Sequence, residues 1–253
     1  MKTIKDITNA LKEATRYEEW METITIDERI GVQKAWAQFQ RKMAKQAELQ
    51  QAHDDKMAFD VSYLSNANGL VAGIDEAGRG PLAGPVVTAA VVLPNNCQEL
   101  LGLNDSKQLS KETREQFATM IKEHALAYFV HFQSEIEIDR INIYEATKQS
   151  MKASVEGLSI KPDFVLADAM TLPISIPQAS IIKGDAKSLA IAAASILAKT
   201  ARDEYMTKLD EQFPQYGFAQ HAGYGTKQHL EALATYGVTP HHRKSFEPIK
   251  SMI

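Results

Sequence analysis

One run constrains this chain more than any other: Gly73-Ile74-Asp75-Glu76-Ala77-Gly78-Arg79-Gly80-Pro81-Leu82-Ala83-Gly84-Pro85. The apolar residues 70–74 before the acids read as a buried strand. That strand delivers two adjacent carboxylates, Asp75 and Glu76, into a glycine-rich loop. Successive strand side chains face opposite ways, so one acid would ordinarily point into the core. A buried, unpaired charge is costly. A hard divalent cation resolves the conflict, because such ions take oxygen ligands of this kind. Arg79 stands between two glycines, where backbone without Cβ approaches a ligand closely and a guanidinium suits phosphate. Acids beside a bare cationic loop point to chemistry on a phosphodiester. Taken singly, an Asp-Glu pair also fits a solvated turn; the combination is what carries the argument.

Two further acids end apolar runs. Asp168 closes Phe164-Val165-Leu166-Ala167, and Asp185 follows Ile181-Ile182-Lys183-Gly184 just before a long helical stretch. If these strands are neighbours in one sheet, Asp75, Glu76, Asp168 and Asp185 meet at one edge, where ligand sites of α/β sheets form. Four such carboxylates repel one another and need divalent ions to stand together. Two cations about 4 Å apart would polarise a phosphodiester and orient a water. Plainer readings stay open for the outer acids: Asp185 as a helix cap, Asp168 as a solvated strand end. Asp203, beside Arg202 in mid-helix, reads as structural.

The pattern along the chain predicts an α/β domain with a mixed sheet. Strands are expected over 70–74, 85–93, 127–133, 163–168 and 179–183, the second pairing with the first as a hairpin. Helices are expected over 110–125, 142–157, 188–213 and 226–236. Residues 1–68 differ: they are rich in Lys, Glu, Gln and Ala, with Gly31 their only glycine. Val32, Trp36, Phe39 and Met43 recur there at helical spacing. The expected division is a helical extension over 1–68 and a catalytic domain over 69–253, joined by the turn-like residues 66–69. The extension reads either as a hairpin packed on the main domain or as an auxiliary nucleic-acid grip.

The net charge of −4 leaves nucleic-acid contact to local patches such as Lys183, Lys187, Lys227, Arg243 and Lys244. Cys97 is the sole cysteine, which fits a reducing compartment. No secretory core or membrane-length apolar run is visible, so a cytoplasmic protein without membrane contact is expected. His221, His229, His241 and His242 show no zinc spacing, and no Gly-x-Ser-x-Gly elbow or Gly-Lys-Thr phosphate loop occurs. Attack by metal-activated water is the reading that remains.

Several motifs together resemble bacterial ribonuclease HII, the type 2 ribonuclease H. They are the run from Gly73 to Pro85; Asp105-Ser106-Lys107; Leu166-Ala167-Asp168-Ala169; Lys183-Gly184-Asp185; residues 192–199; His221-Ala222-Gly223-Tyr224-Gly225-Thr226; and His242-Arg243-Lys244-Ser245-Phe246. The resemblance covers residues 70–248, and residues 1–68 resemble an extension of some Gram-positive members. It implies a ribonuclease H-like fold with a C-terminal helical region, and metal ligands at Asp75, Glu76, Asp168 and Asp185. It implies Mg²⁺ or Mn²⁺ as cofactor. RNA–DNA hybrids and duplex DNA containing single ribonucleotides are the implied substrates, cut to 3′-hydroxyl and 5′-phosphate ends by a chain expected to act as a monomer. Gly78, Arg79 and Gly80 would read the ribose 2′-hydroxyl, the group that separates RNA from DNA. Lys107 would contact a phosphate, and Tyr224 would stack on the following deoxyribose. Type 3 relatives carry Gly-Lys-Gly where this chain has Arg79, which favours type 2.

Overall fold

The computed structural model describes residues 3–66, 68–104 and 106–253. The turn expected at 66–69 and the Asp105 motif therefore fall partly outside the described residues. The chain forms two compact units, 1–54 and 55–253. The sequence reading placed its boundary at 68/69. Helix α3 runs over Ile30–Val61.

The first unit holds α1 (Ile4–Glu13), α2 (Glu22–Thr25) and the start of α3. Thr3 and Asp6 close a capping box that starts α1, satisfying amides the helix cannot bond itself. Ile7, Leu11, Met21, Ile24, Val32, Trp36 and Phe39 form its small core. The expected Val32, Trp36, Phe39 stripe is thus the buried face of a helix.

The second unit is built on a five-stranded sheet of order β3-β2-β1-β4-β5. Its strands are β1 (Val71–Ala77), β2 (Val86–Val92), β3 (Ala127–Gln133), β4 (Phe164–Asp168) and β5 (Gln178–Ile181). The β1–β2 and β2–β3 pairs are antiparallel, while β1–β4 and β4–β5 are parallel. β1 outruns the expected strand and carries both acids inside it. Its pairing with β4 stops at Ile74↔Ala167, but its ladder with β2 continues through Asp75↔Ala89 and Glu76↔Thr88. The acids therefore have a regular backbone on one side and an opened sheet on the other.

Six more helices lie between or after the strands before the final one: α4 (Lys111–His124), α5 (Glu135–Ile141), α6 (Ile143–Glu156), α7 (Gly184–Lys187), α8 (Leu189–Gln212) and α9 (Phe218–His221); α10 (Lys227–Tyr236) follows. Ser110, Asn142, Ser188 and Thr226, the first residues of the expected helices, turn out to be their caps: each accepts a backbone N–H of the helix it starts. The single turns α7 and α9 and the short α5 were not anticipated, being too brief to show a helical period. Helix α8 is apolar on all sides in its first half because β1, β2 and α4 enclose it. A Cβ at Gly73 would lie 2.1 Å from the Ala190 carbonyl carbon, so this glycine is what lets β1 approach the start of α8. The last turn of α3 and the turn after it contribute Phe59 and Tyr63 to a cluster with Val71, Leu166, Ile181 and Ile191. Among the described residues, no helix is long and apolar enough to cross a membrane.

Candidate active site

The ends of β1 and β4 open into a cleft of about 440 Å³. Asp75, Glu76, Asp168 and Asp185 line it, together with Gly78, Arg79, Gly80, Lys107 and Tyr224. Residues as far apart as Asp75 and Tyr224, 149 positions along the chain, thus share one cavity.

Each acid is held differently. Asp75 is 6% exposed, and its Oδ1 accepts the Glu76 amide at 2.7 Å. Ser195 of α8 lines the same cleft. Arg79 Nη1 lies 3.3 Å from Glu76 Oε1. Glu76 Oε2 is buried with no hydrogen-bond partner. Asp168 Oδ1 accepts the Gly184 amide at 2.7 Å, which ties the end of β4 to the turn carrying Asp185. Lys183 makes that turn with φ of 56°.

Burial, then Glu76, then Asp168 push the Asp75 carboxyl well above the usual carboxylate range. Burial likewise raises Glu76, opposed by Arg79. Stacked, dehydrated carboxylates of this kind favour a cation over solvent. Among the described residues, no three acid, histidine or cysteine side chains already converge on a common metal position. The donor chemistry nonetheless fits a hard divalent ion: four carboxylates in one cleft, one of them presenting a buried orphan oxygen.

Two buried arginines set the glycine loop. Arg243 donates to the carbonyls of Gly78 at 2.6 Å, Arg79 at 2.9 Å and Gly84 at 2.9 Å. Arg202 donates to Ala83, Pro85 and Ala222. Carbonyl oxygens thus take the place of counter-ions. Gly78 has φ of +91°, and a Cβ there would sit 1.9 Å from Arg202 Nε. Because a trans peptide points its N–H opposite its C=O, bonding of the Gly78 and Arg79 carbonyls to Arg243 turns the Arg79 and Gly80 amides away from it. Arg243 was expected on a solvent-facing phosphate surface; it is instead fully buried. Lys183, Lys187, Lys227 and Lys244 are exposed but do not line the cleft.

The sequence reading missed Ser106, Ser195, Lys199 and Arg202 as lining residues. The run of small residues in α8 hid Ser195, whose Oγ is 3.0 Å from that of Ser106. Asp203 does what its mid-helix position suggested, pairing with Lys199 at 2.6 Å and Arg114 at 3.8 Å.

Tyr224 stands half-exposed at the rim, and its backbone rests on histidines. His229 Nδ1 lies 2.9 Å from the Tyr224 carbonyl, and His229 Nε2 lies 3.0 Å from His242 Nε2. The Thr239 amide donates to His242 Nδ1. A carbonyl only accepts, so His229 donates from Nδ1 and receives the His242 proton at Nε2; both rings are neutral. Burial pushes His242 down to about 4 and lowers His229.

A family model described as Ribonuclease HII matches residues 72–249, and one described as Ribonuclease HII N-terminal domain matches residues 3–64. The chain belongs to the ribonuclease HII family. A Ribonuclease HII of Halalkalibacterium halodurans is 50% identical over 98% of this chain and 95% of its own. One of Enterococcus faecalis is 49% identical over 100% and 98%. The solved ribonuclease H2 of Pyrococcus horikoshii superposes with a TM-score of 0.64 at 29% identity, covering 72% of this chain and 96% of that one. As a ribonuclease HII this chain is a ribonuclease H, a hydrolase of nucleic-acid phosphodiesters, and its mixed sheet with flanking helices is the ribonuclease H-like fold.

Proposed function

We propose that this ribonuclease HII is a metal-dependent endoribonuclease that cleaves RNA in RNA–DNA hybrids and also incises at single ribonucleotides in duplex DNA. It leaves 3′-hydroxyl and 5′-phosphate ends. The observation that carries this reading is the shared cleft: four carboxylates, the clamped Gly78–Gly80 loop and the Tyr224 ring face one cavity.

Asp75, Glu76, Asp168 and Asp185 would hold Mg²⁺ or Mn²⁺, and two bound ions would supply Lewis acidity at the scissile phosphate and for the attacking water. The protein's own part is recognition and alignment. The amides of Arg79 and Gly80, turned away from Arg243, are placed to meet a sugar oxygen. The 2′-hydroxyl both donates and accepts, so a backbone donor pair distinguishes ribose from deoxyribose. Arg79 and Lys107 bring positive charge to the phosphates flanking the cut. Tyr224 offers a flat face to the next sugar, which favours a ribose-to-deoxyribose step. The chain acts as a monomer in this reading.

The test compares, in Mg²⁺ and in Mn²⁺, a long RNA–DNA hybrid with a DNA duplex holding one ribonucleotide. Both should be cut, the second on the 5′ side of the ribonucleotide, and the products should be extendable by a polymerase. Cleavage of the hybrid without incision at the single ribonucleotide would confine the chain to hybrid hydrolysis.

A further inference from the structure

The end of α3 reaches the active-site cleft from behind. Lys56 and Asp60 are one helical turn apart, share a face and are both buried within the 55–253 unit. Each grips a different loop of the site.

Lys56 Nζ donates to the Leu103 carbonyl at 3.1 Å and to Asn104 Oδ1 at 3.3 Å. Those residues open the segment that puts Ser106 and Lys107 into the cleft. Its far end is held from the other side, where Arg114 donates to the Ser106 carbonyl at 3.0 Å and the Leu109 carbonyl at 2.7 Å.

Asp60 Oδ2 accepts the Ala190 amide at 2.9 Å in the first turn of α8, two residues beyond Ser188, while its Oδ1 is buried with no hydrogen-bond partner. Ser188 is the N-cap of α8, its Oγ accepting from Ile191 N at 3.0 Å. The Ser188 amide in turn bonds the Gly184 carbonyl at 2.8 Å, closing the one-turn helix that carries Asp185. The Gly184 amide binds Asp168. Asp60 therefore holds the first turn of α8, and the N-cap of that helix is hydrogen-bonded through Gly184 to Asp168, with Asp185 between. Phe59 in α3, and Tyr63 just past its end, fix this stretch against the sheet.

We infer that Lys56 and Asp60 are positioning residues: the last turns of α3 hold the Lys107 segment and the Asp185 turn in register with the acids of β1 and β4. The inference rests on the roles given above to Lys107 and Asp185. A long side chain and a short one, four residues apart on a rigid helix, set the spacing between a substrate-gripping loop and a ligand-bearing turn. Rigid scaffolding of this kind matters because small misplacements of catalytic groups are expensive in rate.

The two residues should give different signatures in the full-length chain. Lys56→Met should raise KM and, by fluorescence anisotropy in EDTA, weaken hybrid binding about tenfold, as loss of a held cationic contact would. Its kcat should change little. Asp60→Ala should lower kcat by ~10-fold to 100-fold with hybrid affinity in EDTA unchanged. Lys56→Arg and Asp60→Asn, which keep a donor and an acceptor, should restore most of each loss. Should Asp60→Ala or Lys56→Met not fold, Ser188→Ala and Lys56→Gln interrupt the same two connections with less disturbance. Variants that melt lower but keep wild-type KM, kcat and affinity well below their melting temperatures would overturn the inference and leave a purely structural role. So would equal changes of the same parameter in both. A wild-type chain that cuts neither ribonucleotide substrate would instead fail the functional reading, and the anisotropy measurement separates the two cases.

Discussion

Arg243 donates to the Gly78 carbonyl at 2.6 Å across 165 positions of sequence, with none of its side chain exposed. A guanidinium that faces main-chain oxygens throughout is a conformational device rather than a substrate contact. Arg243→Lys should lose the fork that spans Gly78, Arg79 and Gly84. The expected cost is ~2–4 kcal/mol of stability, read as a fall in urea midpoint. In the protein that stays folded, the preference for a ribonucleotide over a 2′-fluoro nucleotide at the cut should narrow. An unchanged preference would mean that the clamp does not orient the loop amides.

Asp75 sits among like charges, so Asp75→Asn should separate stability from activity. Cleavage should fall by ~100-fold or more, because an acid of the metal set is lost. Metal-free Asp75→Asn protein should melt about 3 °C higher, as ~1 kcal/mol of repulsion and desolvation is relieved. Asp168→Asn should lose activity similarly, though its bond to the Gly184 amide leaves less to gain. Millimolar Mg²⁺ should raise the melting temperature of the wild type and not of Asp75→Asn. Wild-type turnover in a folded Asp75→Asn protein would remove these acids from the mechanism.

Tyr224→Ala should separate the two substrates. Losing the ring's contact with that sugar should lower incision at a lone ribonucleotide by roughly tenfold. A long hybrid offers alternative registers and should suffer less. Equal loss on both substrates would count against junction reading.

The histidine pair beneath Tyr224 predicts a specific acid sensitivity. His242 is neutral in the fold, pushed from 6.5 down to about 4, chiefly by burial and then by His229. The unfolded chain takes up a proton near pH 6.5 that the folded chain refuses until about pH 4. Stability contributed by the neutral ring is therefore complete above pH 6.5 and is lost as pH falls through this window. The loss approaches ~3 kcal/mol. His229 is shifted the same way. Urea midpoints at pH 7.5 and pH 5 should show the fall, and His242→Gln should flatten it. A pH-independent midpoint in the wild type would show that the rings take up protons alike in the folded and unfolded chains.

Much of the fold was legible because the signals were local. Val86–Val92 is β-branched and apolar, so it read as a strand. Ser110 announced a helix because its short polar side chain can bond a free amide in the first turn. The single turns α7 and α9 were invisible, since a period of 3.6 cannot be counted in four residues. The strand end at Asp75 was misplaced because its continuation depends on β2, which the sequence alone does not align to the residue.

What the sequence determined by itself was the chemistry available: acids at strand ends, a glycine loop with one arginine, a tyrosine between glycines. These follow from residue type and near neighbours, and physical chemistry at that range does not need coordinates. Only the tertiary structure decided which of those groups meet. The sheet order β3-β2-β1-β4-β5 sets β1 beside β4, and so Asp75 near Asp168. Burial alone turned Arg243 from a presumed phosphate ligand into the clamp of the loop, and packing alone brought Lys56 and Asp60 behind the cleft. Encounters between distant segments depend on how the whole core closes, and no stretch of the chain encodes that locally.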